Sequence, residues 1–253
     1  MFQIYKLRHR LAKNNYSYIY DSFSFLSIND ANTTTYYVFQ YLGINILAFN
    51  ENWEYQKTIG MDKKPTYTVL ANDQIYVACD RVIFKYDKQM NKIGEIQTPE
   101  LGGHRRIYFN STDSLIYEIE IIVNSTSKIN ILNQSLSLVN SFNISFHSSF
   151  MIEYDGMMLI SDYDTGNIYF YQNNVLVRNM TTLCNSSVNS ILFDDYNHMM
   201  VLCYQSAYVY ISHVNGTYTG IGFPVCNSSA HYMNFDSKDR LVILCRNEIA
   251  IFF

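Results

Sequence analysis

Cys184-Asn185-Ser186-Ser187 recurs forty-two residues later as Cys226-Asn227-Ser228-Ser229, and the stretch from Phe193-Asp194 to Leu202-Cys203 recurs at the same offset from Phe235-Asp236 to Leu244-Cys245. Counting back from Ala230 in forty-twos gives unit starts at Val188, Phe146 and His104. A slightly shorter step reaches Pro65, and a weaker unit begins near Phe23. Six such units fill nearly all of the 253 residues and leave no room for a second domain, so residues 1–253 read as one repeat domain. A period of this length marks a propeller or a solenoid.

The unit from Val188 to Ser229 decides between them. Its apolar runs, Ile191 to Phe193, Met199 to Tyr204, Tyr208 to Ile211 and Tyr218 to Phe223, are short and rich in aromatic and β-branched residues. Asp194-Asp195-Tyr196-Asn197, Gln205-Ser206 and His213-Val214-Asn215-Gly216 punctuate them as tight turns do. Two-helix repeats of similar length would need apolar residues at i, i+3 and i+4, and that pattern is absent. The expectation is therefore an all-β, six-bladed β-propeller of four-stranded antiparallel blades. Asp73, Asp194 and Asp236 fall where the first hairpins turn, and there short Asx side chains bond their own backbone. The last unit supplies only three strands, ending at Ile249 to Phe253. An unpaired sheet edge would remain, so residues 1–22 are expected to supply a closing strand, from within Ile4 to Tyr20, antiparallel to that segment.

One unit carries a resemblance. Leu159-Ile160-Ser161-Asp162-Tyr163-Asp164-Thr165-Gly166-Asn167-Ile168-Tyr169-Phe170-Tyr171 is similar to the NHL repeat, whose strand-turn-strand centre carries an Asp, then Thr-Gly-Asn, then an apolar strand. Phe235-Asp236-Ser237-Lys238-Asp239-Arg240-Leu241 is similar to that family's first hairpin, and the unit at His104 departs from the pattern. The Gly-His and Trp-Asp marks of WD40 repeats are missing, and the chain has one Trp.

Composition narrows the function. The chain is 48% hydrophobic and 16% charged, with a formal charge of −4 and no basic stripe beyond Lys6 to Lys13, which argues against nucleic-acid binding. No apolar run reaches the length of a membrane span, and Met1 to Arg10 lacks the apolar region of a secretory signal. The sequons point the other way. Asn-X-Ser/Thr occurs ten times, at Asn15, Asn32, Asn110, Asn124, Asn133, Asn143, Asn179, Asn185, Asn215 and Asn227, where composition alone gives about four. Asn110, Asn124, Asn185, Asn215 and Asn227 fall in or beside loops and are the expected glycan carriers. The combination fits an extracellular chain or ectodomain, its missing signal then meaning either an incomplete gene model or a fragment of a longer receptor-like protein; a cytoplasmic location is the alternative.

Cys79, Cys203 and Cys245 end the second strands of their units, while Cys184 and Cys226 lie in entry loops on the same face. Disulfides Cys184 to Cys203 and Cys226 to Cys245 are expected, each closing nineteen positions, with Cys79 a buried thiol because Gly60 stands where its partner would be. The alternative is that all five are reduced.

No Gly-X-Ser-X-Gly, His-Glu-X-X-His, Cys-X-X-Cys or phosphate-binding glycine loop is present. Arg105, His147, Asn189 and His231 are the second residues of the last four units, so they are expected to circle one mouth of the central channel as polar lining, with no metal and no cofactor. Some six-bladed enzymes related to the NHL family, the peptide-amidating lyases and lactonase-like hydrolases, bind metal in this way. The 23 Tyr favour recognition over catalysis. The reading is a non-catalytic binding module that takes a protein or small ligand at its loop face, with Asp80, Asp162, Tyr204 and Arg246 as candidates. The alternatives are a metal-dependent channel enzyme of the lyase or lactonase type, and an intracellular scaffold.

Overall fold

The structure, a computed structural model, describes residues 7–12, 22–30, 33–40, 44–97, 106–122, 126–184, 187–227 and 229–252. These form twenty-four β-strands and no helix. After β1 (Leu7–Ala12) come β2 (Ser22–Asp30), β3 (Thr33–Gln40), β4 (Asn45–Phe49) and β5 (Tyr55–Gly60), then β6 (Pro65–Ala71), β7 (Gln74–Cys79), β8 (Val82–Tyr86) and β9 (Lys92–Gln97). The third blade is β10 (Arg106–Asn110), β11 (Leu115–Ile122), β12 (Thr126–Leu132) and β13 (Leu138–Ile144). The fourth is β14 (Ser148–Tyr154), β15 (Met157–Asp162), β16 (Ile168–Gln172) and β17 (Val175–Met180). β18 (Val188–Phe193), β19 (His198–Cys203), β20 (Tyr208–His213) and β21 (Tyr218–Pro224) make the fifth, and β22 (Ala230–Phe235), β23 (Leu241–Cys245) and β24 (Glu248–Phe252) open the sixth. Each sheet has four antiparallel strands in sequence order, except that β1 joins the sixth beside β24. The fold class is the six-bladed β-propeller.

Two compact units divide the chain: Met1–Lys64 with Asn189–Phe253, and Pro65–Val188. Each holds three blades. In the first unit, Leu202, Val209, Met233, Ile243 and Phe252 belong to one buried cluster that joins the fifth and sixth blades. In the second, Ile119, Ile129, Met151, Ile160 and Tyr171 join the third and fourth. Stacking explains the burial pattern. β23 and β24 are buried along their whole length, whereas fourth strands such as β5, β13 and β17 are mostly exposed.

The turns obey local chemistry. Asp194 Oδ1 accepts the N–H groups of Tyr196 and His198, and Asp236 Oδ1 accepts those of Lys238 and Arg240, so both aspartates hold their hairpins as expected. Asp73 does something else. It shares a two-residue turn with Asn72, both at positive φ (64° and 46°), and its exposed carboxylate pairs with Lys88 Nζ at 2.6 Å.

A loop between third and fourth strands recurs that the sequence did not reveal. Asn50, Asp87 and Asn133 each accept, through Oδ1, the N–H four residues on. Three residues on from each, Trp53, Met90 and Leu136 are buried in left-handed conformations with φ of 62°, 67° and 65°. Large side chains at such φ values are uncommon because Cβ crowds the backbone, so burying the side chain must outweigh that cost. Gly216 stands at the corresponding place in the fifth blade, its N–H bonded to the His213 carbonyl at 2.9 Å.

Candidate binding face

Antiparallel pairing brings the start of each first strand beside the end of its second. Pro65 faces Cys79, Ser148 faces Asp162 and Ala230 faces Cys245. The next N–H then returns to the entry loop: Tyr163 donates to the His147 carbonyl at 2.7 Å and Arg246 to the Ser229 carbonyl at 2.9 Å. Asp80, Tyr163, Tyr204 and Arg246 therefore occupy equivalent loop positions, and all but the half-buried Tyr204 are exposed.

Asp162 is different. It is equivalent to the strand cysteines and 4% exposed, and its carboxylate accepts the Asp164 N–H at 2.9 Å and the Thr165 hydroxyl at 2.6 Å. Those bonds hold the Asp162–Asn167 turn, so the carboxylate faces its own loop. Tyr163, one residue on, is the exposed side chain there; aligning Asp162 with Cys245 through the second strands would have revealed this in the sequence.

A bulge sets the other edge of the face. The pairing register skips Thr66, Ser149 and His231, the second residues of their first strands. Small polar side chains there donate to backbone carbonyls: Thr66 Oγ1 to Ala78 at 3.0 Å, Ser149 Oγ to Val188 at 2.7 Å, and Asn189 Nδ2 to Ala230 at 3.1 Å. Ser149 and Asn189 each tie their blade to the first residue of the following one. Asn189 is thus employed in the fold.

His147 lies two residues before Ser149, outside the register that relates Ser149 to Asn189 and His231. The fourth blade is two residues out of step with a forty-two-residue count, because two of its turns are short: its first hairpin turns on Asp155-Gly156, where the sixth blade has the longer loop after Asp236, and its third and fourth strands are joined through Asn173-Asn174, where the fifth blade has the longer turn from Val214 to Thr217. Arg105 lies outside the described residues.

Two tyrosine–histidine pairs emerge. In the second unit Tyr163 lies against His147, ring centroids 4.8 Å apart; in the first, Tyr204 lies against the buried His231 at 5.4 Å. The Tyr204 carbonyl accepts the Ala230 N–H at 3.3 Å, which fixes this loop against the sixth blade's entry. Such plates suit stacking and hydrogen bonding. The tyrosines whose ionisation burial suppresses, Tyr108 (pushed up to about 12) and Tyr117, flank the Asn110–Leu115 turn at the opposite end of the third blade.

Disulfides staple the loops. Cys226 and Cys245 are bonded with Cα atoms 6.0 Å apart, within the range expected for a disulfide. Cys184 and Cys203 are also disulfide-bonded, while Cys79 is a buried thiol outside any disulfide. Among the described residues, Cys226, Cys245 and Glu248 form a group of metal-ligand type, but the two sulfurs are joined to each other and Glu248 Oε1 accepts the Asn227 N–H at 2.9 Å. Replacing both Cys226 and Cys245 by Ser is expected to cost about 3 kcal/mol, as for a loop of this size. Urea unfolding would measure it, and an unchanged midpoint would show that the bond adds nothing.

Of the expected glycan carriers, Asn215 and Asn227 are exposed and Asn110 is half-buried; Asn124 and Asn185 lie outside the described residues. Asn110 and Asn215 also cap their own turns through Oδ1.

No family model matches the sequence, and no curated protein matches it. Solved structures do. Virginiamycin B lyase from Staphylococcus aureus matches with a TM-score of 0.66 at 13% identity, over 95% of this chain and 82% of that one. A streptogramin B lyase matches with a TM-score of 0.65 at 10% identity, over 93% and 99%. A chain of the mitotic checkpoint complex matches with a TM-score of 0.65 at 10% identity, over 90% and 73%. At these identities the likeness is one of fold, and the chain has the six-bladed propeller fold.

Proposed function

We propose that this chain is an extracellular binding propeller of the NHL type, a single domain that takes a protein or small ligand at its loop face. The observation that carries the reading is a division of labour at the loop ends of the blades, seen in each unit by itself. The small polar groups that could serve chemistry, Ser149, Asn189 and Asp162, are bonded to backbone or to their own turn, while the larger Tyr163, Tyr204 and Arg246, with the exposed Asp80, occupy the loop positions. Large side chains such as Tyr204 and Arg246, each next to a disulfide-bonded cysteine, suit recognition because little conformational freedom is lost on binding. Two disulfides support an oxidising compartment.

A second reading, a metal-dependent lyase, is favoured by the likeness to two lyase structures and by the histidines at the loop ends, His147 and His231. One of the similar structures is an inactive virginiamycin B lyase variant with quinupristin, so quinupristin is the natural probe. The expected result is no turnover of quinupristin with added magnesium or zinc, and retention of extracellular partners by the wild-type protein that is lost in a Tyr204→Ala/Arg246→Glu variant. Chelator-sensitive turnover would establish the lyase instead. Protein from its native source that glycosidase leaves unshifted would return the chain to the cytoplasm.

A further inference from the structure

The fourth strand of each blade leaves one row of backbone N–H and C=O groups unpaired, and such edges invite pairing with another chain unless something blunts them. Here each edge is treated differently. β5 carries the exposed Lys57, β9 carries the Lys92–Glu95 ion pair, and β1 contains Arg8 and Arg10 in its sequence. β21 has Gly220 at a φ of 80° and ends at Pro224, a residue without an N–H. β13 and β17 have none of these. β13 has no charged residue, and the one charge on β17, Arg178, lies 3.7 Å above the Phe170 ring of its own sheet. Among the edge strands whose side chains are described, they also expose the most apolar surface: Leu138, Val139, Val175 and Val177 are each more than half exposed.

Both edges carry a sequon at the same ladder position. Ile144 pairs with Ser127 and Met180 with Ile168, each opposite the first paired residue of its third strand, which makes Asn143 equivalent to Asn179 in two consecutive blades. Asn143-Ile144-Ser145 and Asn179-Met180-Thr181 have exposed Asn and exposed Ser or Thr. Asn is disfavoured in strands. At Asn110, Asn133 and Asn215 the carboxamide earns its place by capping a turn, but those of Asn143 and Asn179 make no hydrogen bond among the described residues.

We infer that Asn143 and Asn179 are N-glycosylated and that the two glycans shield the uncharged apolar edges β13 and β17 from edge-to-edge association. The inference rests on the extracellular reading above. The donor is a lipid-pyrophosphate-linked oligosaccharide. The Asn Nδ2 bonds to the anomeric carbon, that carbon's bond to the pyrophosphate oxygen breaks, the amide gives up one proton, and the lipid pyrophosphate leaves.

Glycopeptide mapping of protein from its native source tests occupancy; both sites are expected to be filled. Light scattering on secreted protein tests the role: Asn143→Gln/Asn179→Gln should self-associate at a concentration at least tenfold below wild type, while Asn215→Gln behaves as wild type. Endoglycosidase trimming of the folded wild-type protein should have the same effect, which separates lost shielding from misfolding. If Asn215 or Asn227 is glycosylated while Asn143 and Asn179 are bare, the inference fails and the extracellular reading stands. Glycans at both edges with association unchanged by variant and trimming also overturn it, whereas no glycan at any site sinks both.

Discussion

Removing residues 1–12 lowers the melting temperature by roughly 6–20 °C, because it deletes β1 and leaves β24 as the bare edge of a three-stranded sheet. Leu7 pairs with Phe252 and Ala12 with Glu248, with one irregularity between Leu7 and His9. That ladder joins the two ends of the chain within one unit, and such a tie resists fraying from either end. Each backbone hydrogen bond contributes about 1 kcal/mol net, and covering β24, buried throughout, adds to this. A loss of about 3–5 kcal/mol is expected, and at this chain length each kcal/mol moves the midpoint by about 2–4 °C. Calorimetry on the truncated chain, beside one lacking residues 1–6 and keeping the ladder, measures it. Equal midpoints for the truncated and intact chains would show that the sixth blade does not depend on its fourth strand.

Trp53→Ala is expected to cost about 3–5 kcal/mol, the range for truncating a buried aromatic residue. Trp53 is fully buried, stacked on Tyr36 with centroids 4.4 Å apart and met edge-on by Phe25 at 5.9 Å. It holds a φ of 62°, which a glycine would adopt without penalty. Trp53→Gly should therefore be no less stable than Trp53→Ala, although it removes one more carbon. If Trp53→Gly were instead clearly the weaker, the left-handed backbone would be ruled out. The residue is the only tryptophan, so its emission should be blue-shifted in the folded protein and move to the red on unfolding. Circular dichroism follows the variants, which lack that probe.

The repeat was legible because the same strand-and-turn sequence must recur wherever the same sheet is built. Phe193 to Cys203 and Phe235 to Cys245 resemble each other because both form a first hairpin held by an aspartate and a second strand ending in a disulfide cysteine. The pairing of Cys226 with Cys245 followed from that register, and so did the need for an N-terminal partner for β24. The candidate face was only partly legible. Counting in forty-twos passes over differences in turn length, and the short Asp155-Gly156 and Asn173-Asn174 turns together put His147 out of step with Asn189.

By itself, then, the sequence determined the six four-stranded blades, which cysteines stand close enough to pair and the closing strand, since these depend on local alternation, turn residues and the count of strands. Only the tertiary structure decided which polar side chains bond backbone carbonyls, that the Tyr163 ring lies against His147, and that Trp53, Met90 and Leu136 are driven into left-handed backbone by burial. The physical reason is distance along the chain. A turn or an alternating strand is settled within a few residues, but the carbonyl that Asn189 bonds lies forty-one residues away on the next blade, and no local pattern records it.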